Sequence, residues 1–175
     1  IRAALYFIAW IALALYFFKN STAQDSDKDP RRTIKMGKIG TLGLAVYALS
    51  LTFASFDWIM SLEYTWFSTI FGVIYFAGSM VVLLASTIVA VKILQGRGYL
   101  QGPVNTEHYH DLGKFMWAFM VFWTYVSFSQ WMIIWYADLP EETIFFLTRA
   151  ENGWMPLSYF VLFGCFLLPF LIFMS

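Results

Sequence analysis

Five runs of apolar residues, at 3–18, 39–59, 67–93, 112–136 and 154–173, constrain this chain more than any other feature. A bilayer core of about 30 Å is crossed by about 20 apolar residues in helical form. Four of the runs meet that length and the first comes close to it. None shows the alternation of a strand, and all exceed ordinary strand length. The expected fold is therefore an all-α integral membrane bundle of about five transmembrane helices in one transmembrane domain spanning 1–175. Composition agrees: 60% of the residues are hydrophobic and 13% charged, against roughly 25% charged in a soluble domain. The chain opens on Ile1-Arg2 and stops at Phe173-Met174-Ser175 at the edges of apolar runs, which suggests a fragment of a longer bundle.

Charge is distributed unequally between the connections. Lys19, Lys28, Arg31, Arg32, Lys35 and Lys38 lie between the first and second runs, and the third connection contains Arg97 and is flanked by Lys92 and Lys114. The other two connections are acidic, with Asp57 and Glu63 in one and Asp138, Glu141, Glu142 and Glu151 in the other. Only Arg2 and Arg149 among the eleven Lys and Arg residues fall on that side. The positive-inside rule then places loops 19–38 and 94–111 in the cytoplasm. Trp58, Tyr64, Trp66, Trp131, Trp135, Tyr136 and Trp154 gather at the acidic side, as an interfacial aromatic belt would. The stretch 25–30 is expected to be a solvated turn. Pro169 is expected to kink the last helix, and Gly72, Gly78 and Ser79 to admit a close neighbour to the third. A weak internal repeat is also legible: the second and fourth runs each end in an acidic turn followed by an aromatic helix. Net charge is zero, so no nucleic-acid partner is expected.

The side chains offer little redox chemistry. Cys165 is the one cysteine, which excludes c-type haem attachment and iron–sulfur ligation. The two histidines, His108 and His110, stand two residues apart in a polar stretch and cannot share a helical face, so a bis-His haem is excluded. A zinc site from His108, His110 and Asp111 lacks a convincing ligand set. No catalytic, cofactor-binding or metal-binding residue is assigned.

The fourth run carries the positive signal. His108, His110, Asp111 and Lys114 form a titratable mouth; Tyr125, Ser127, Ser129 and Gln130 follow within the apolar stretch. Tyr125 and Ser129, and Ser127 and Gln130, are spaced to meet on a helix face. Asp57 could complete a route at the outer end. Polar groups inside a membrane line ion pathways, and they also join helices to one another. Both readings, a proton path and structural hydrogen bonding, remain open on the residues alone. Asp57 likewise reads either as a desolvated acid or as an interfacial one in contact with water.

Three segments carry a resemblance to a known family. SFDWIMSLEYTWFST at 55–69, HYHDLGK at 108–114 and FSQWMIIWYADLPEE at 128–142 occur in the order found in the F-type membrane subunits of bacterial alternative complex III. These subunits are similar to the polysulfide reductase membrane-subunit family. The resemblance is best over about 40–140. It implies a subunit of a quinol:cytochrome c oxidoreductase in the bacterial inner membrane, in a bundle of about ten helices of which this chain spans half. It implies no redox cofactor in the chain itself. Haem c and iron–sulfur clusters would sit in partner subunits: a multihaem cytochrome, an iron–sulfur subunit and a homologous quinol-binding membrane subunit. The subunit's expected role is proton translocation, assembly, or both, with lipid around it and quinol as a further candidate ligand. A secondary transporter fragment and a purely structural assembly subunit are the rival classes.

Overall fold

The computed structural model describes residues 1–151 and 153–174. Helix accounts for 86% of the chain and no strand occurs among the described residues. Five helices are long and apolar enough to cross a membrane: Arg2–Asp27, Pro30–Leu62, Phe71–Gly96, Thr106–Ala137 and Met155–Met174. The protein is an all-α membrane protein. Its apolar residues face outward in a way that only lipid or another apolar partner would accept. No residue in the most apolar part of the first or last span is buried, and 22% is the largest buried share in any span.

The chain packs as two units, Ile1–Leu62 and Glu63–Ser175. The first unit is a hairpin of α1 (Arg2–Asp27) and α2 (Pro30–Trp58), closed by a 3-10 turn at Met60–Leu62. The expected loop at 19–38 is instead almost all helix, a correction to the sequence reading. Its polar residues have helix-forming neighbours, and only Lys28 and Asp29 break the two helices apart. Lys28 takes a left-handed conformation (φ 52°, ψ 24°) that stops α1. Asp29 then caps α2, its carboxylate accepting the Arg31 N–H at 2.9 Å, with Pro30 at the first helical position, where its missing N–H costs nothing. Arg32 clasps the turn through Asp27 at 2.7 Å and Asn20 at 3.4 Å. The helices lie antiparallel, since Leu13 meets Gly43, Trp10 meets Ser50 and Tyr6 meets Asp57. A Cβ on Gly43 would stand 3.1 Å from Leu13 Cδ2, so glycine sets the closest approach.

The second unit contains α3 (Phe71–Gly96), α4 (Thr106–Ala137), α5 (Pro140–Glu151) and a last span made of α6 (Met155–Leu162), a π-helical segment (Phe163–Leu167) and α7 (Leu168–Met174). Helices α3 and α4 are antiparallel neighbours: Gly78 faces the Trp123 indole and Gln95 bonds Tyr109. The expected close approach at Gly78 is present, a Cβ there lying 3.3 Å from Trp123 Nε1. Helix α7 runs antiparallel to the start of α4, with Trp117 stacked on Phe170 at 6.2 Å.

Boundaries differ from the expected ones for physical reasons. Helix α4 begins at Thr106 rather than 112 because Asn105 and His108 form a reciprocal cap. The acidic connection 137–153 holds a helix, α5, where only a loop was expected. It starts with Pro140 and carries Glu141 and Glu142 in its first turn and Arg149 in its last, a charge order that suits the helix dipole. That also separates the two halves of the suggested repeat: a short 3-10 turn follows α2, but a 12-residue helix follows α4. The disturbance expected at Pro169 takes the form of the π segment just before it. Proline lacks the N–H that would bond Cys165, and its ring crowds that carbonyl. A widened turn accommodates both.

Candidate functional site

Helix α4 has 32 residues, about 48 Å at 1.5 Å per residue, which exceeds the bilayer core. Its polar N-terminal turns therefore project beyond the hydrocarbon. There Asp111 and Lys114 form an ion pair at 2.8 Å, both well exposed. His108 is bound up with Asn105, its Nδ1 lying 3.3 Å from the Asn105 N–H and 2.7 Å from Oδ1. His110 is exposed. Tyr109, between the histidines, turns inward and donates to Gln95 Oε1 at 2.6 Å. Gln95 in turn donates to the Val104 carbonyl at 2.9 Å. This link secures the α3–α4 connection, and the chain pattern alone gave no sign of it.

Lys114 and Thr124 are ten positions apart, a rise of about 15 Å. The side chains between them, at 115–123, are apolar apart from the indole N–H groups of Trp117 and Trp123. Beyond that stretch the expected route residues diverge. Tyr125 is 68% exposed. Ser129 folds its hydroxyl back to the Tyr125 carbonyl at 2.7 Å, and Thr124 does the same to Met120 at 2.9 Å. Such back-bonds satisfy the hydroxyl within its own helix. Ser127 and Gln130 differ. The Ser127 hydroxyl and Gln130 Nε2 are buried with no hydrogen-bond partner among the described residues, so they do not bond each other. Gln130 is 7% exposed, in line with Met120, Val126 and Ile134 on the buried side of α4.

Asp57 belongs to the first unit and is fully engaged there. Arg2 Nη2 lies 2.9 Å from its Oδ1, and the Tyr6 hydroxyl donates to its Oδ2 at 2.8 Å. Beside it Tyr6, Phe7, Trp10 and Trp58 pack against one another in stacked and edge-on pairs with ring centroids 5.6–6.4 Å apart. Asp57 thus sits among aromatics, as expected, with its charge held by two partners from α1. Neither partner was foreseen.

At the acidic end of the second unit lies a groove of about 610 Å³ lined by Glu63, Thr148, Arg149, Trp154, Leu157, Ser158 and Val161. Its cation is built in from below. The Arg149 guanidinium lies over the Phe145 ring at 3.3 Å and donates to the Phe145 carbonyl. Trp66 stacks on the same ring at 3.9 Å, necessarily on the opposite face. Trp66 is 3% exposed and so leaves the interfacial belt assigned to it from sequence; it is a packing centre for α5. The other six members of that belt are exposed. Burial draws the Arg149 pKa below its ordinary value, while Glu63 acts in the other direction. The guanidinium stays charged at neutral pH all the same, and part of the side chain is open to solvent.

No group of three or more His, Cys, Asp or Glu residues is placed to hold a metal ion among the described residues. No protein-family model matches the chain, and no curated protein matches it in sequence. The fold and its outward-facing apolar surface define a multi-pass α-helical membrane protein.

Proposed function

We propose that this chain is a membrane subunit of a quinol:cytochrome c oxidoreductase of the alternative complex III type. It resides in the bacterial inner membrane with its basic ends in the cytoplasm, holds no redox cofactor of its own, and supports proton translocation and assembly. Electron carriers, haem c and iron–sulfur clusters, belong to partner subunits in this reading. The observation that carries it is the pair of buried, unpartnered polar atoms, Ser127 Oγ and Gln130 Nε2, in a helix long enough to cross the bilayer. Uncompensated polar groups in hydrocarbon are costly and tend to be kept where protons, ions or waters pass. The segment around them, 128–142, is one of those that resemble the family.

The route then enters at His108, His110, Asp111 and Lys114 and follows the buried side of α4 past Ser127 to Gln130. Tyr125 and Ser129 would join it where a neighbouring subunit encloses them. Asp111→Asn removes a proton acceptor at constant shape, and Ser129→Ala removes a hydroxyl at small volume. In membrane vesicles both variants should keep electron transfer near normal without an opposing gradient, while proton translocation falls several-fold. Unchanged translocation in both would return these residues to solvated surface and helix packing. Copurification supplies the second test: a multihaem cytochrome and an iron–sulfur protein should accompany the chain. Isolation as a lone active carrier would favour the transporter class instead.

A further inference from the structure

The groove beside Arg149 combines features that are seldom found together by accident. It holds one cation and one anion, Arg149 and Glu63, yet no ion pair within 4.0 Å joins them among the described residues. Arg149 is fixed by Phe145 through its ring and its carbonyl, and a guanidinium has five N–H donors, so most of them remain for a ligand. Its volume falls within the roughly 300–1,000 Å³ of small-ligand clefts. The groove also has a direction. Trp154, Leu157, Ser158 and Val161 lie at the start of the last membrane span, and Trp154, Leu157 and Val161 share one face at spacings of three and four. From Trp154 to Val161 is about 10 Å along the helix axis. The charged mouth therefore passes directly into an apolar stripe that descends into the bilayer, with Leu157 and Trp154 more than half exposed.

That shape is the shape of an amphiphile, and the charges select among amphiphiles. We propose that this groove binds the headgroup of a zwitterionic phospholipid bearing a primary amine, of the phosphatidylethanolamine class. The phosphate sits on Arg149, whose planar fork suits its oxygens. The ammonium sits on Glu63, and one acyl chain lies along Trp154, Leu157 and Val161. An anionic headgroup with no amine would satisfy Arg149 but meet repulsion from Glu63. A quaternary amine could not donate a hydrogen bond to the carboxylate.

The test is native mass spectrometry of the full chain, with whatever subunits copurify, released from nanodiscs of equal phosphatidylethanolamine and phosphatidylglycerol. The parent protein should retain the ethanolamine lipid about ten-fold over the glycerol lipid, the discrimination expected of one charge-assisted hydrogen bond. Glu63→Gln should abolish that preference while lipid is still retained, because the repulsion goes and the phosphate contact stays. Arg149→Gln should lose retained lipid of both kinds, and Arg149→Lys should restore it in part. Leu157→Trp, which fills the groove without touching either charge, should also lose it, and it keeps the test valid if Arg149→Gln fails to fold. Equal retention of both lipids by the parent would overturn the proposal. So would displacement of the lipid by inorganic phosphate, which would make the groove a simple anion site.

Discussion

Two carboxylates six residues apart in sequence, Asp57 and Glu63, end up in opposite circumstances. Asp57 is held by an arginine and a tyrosine from the facing helix, inside a cluster of aromatic rings. Among the described residues, the Glu63 carboxylate accepts a 3.2 Å bond from Thr65, two residues on, and shares a groove with a cation with which it forms no ion pair. The first arrangement is closed: every strong interaction the acid can make is made within one hairpin. The second is open, its opposite charges left apart.

The comparison can be broken at several points. The largest effect is all-or-none. With Cys165 replaced by serine, cysteines at Ser26 and Glu142 should react with an impermeant thiol reagent from opposite sides of the membrane. Reaction from the same side would refute the topology expected from the distribution of Lys and Arg. Next comes Asp57→Ala, which strips Tyr6 of a charged acceptor and should destabilise the protein by about 2 kcal/mol, measured as reversible unfolding in mixed micelles. A double-mutant cycle with Tyr6→Phe should recover most of that as coupling; additive losses would mean that the hairpin end is not one network.

Gln130→Met should have the opposite sign. It replaces a buried donor lacking a partner with an apolar chain of similar length, and should stabilise the protein by about 1 kcal/mol. If proton translocation falls while stability rises, Gln130 is retained for transport; if stability falls, the amide has a partner in the assembled protein. The smallest effect belongs to Glu63→Gln, whose stability should change by less than about 0.5 kcal/mol. A larger loss would show that Glu63 is as closed as Asp57, and the contrast between the two acids would disappear.

Much of the fold was legible because hydropathy over 20 residues is a strong signal and the bilayer sets a fixed length. The five spans follow from it directly. Boundaries were less so. Residues 19–38 look like a loop because they are charged, yet charge does not oppose helix formation where the chain leaves the hydrocarbon. The break is only Lys28 and Asp29, inside the turn expected at 25–30 and marked by Asp29 and Pro30; what the residues did not announce is that helix continues on both sides of it. Helix α5 was hidden for the same reason, although Pro140, Glu141, Glu142 and Arg149 spell out a start and an end. Of the candidate site, the mouth residues were recognisable as polar and the interior ones as unusual. Which way they face was not: Tyr125 and Ser127 stand two apart, and only packing against α3 decides that one is exposed and the other buried. Arg149 was counted as a stray charge on the outer side: its anchor, Phe145, is local, but the residues that share its groove come from 63 and 154–161, which no local pattern brings together.

The turn at Lys28 and Asp29 has a consequence for biogenesis. Two residues are the whole distance between one helix and the next, so the cost of bringing the ends of α1 and α2 together is about as small as a chain permits. The hairpin therefore needs no search for its partner. Once the second crossing has emerged from the ribosome, it lies beside the first, in register, with Asp27 and Arg32 ready to clasp it. An insertion at this point lengthens the connection and raises the cost of pairing the two helices.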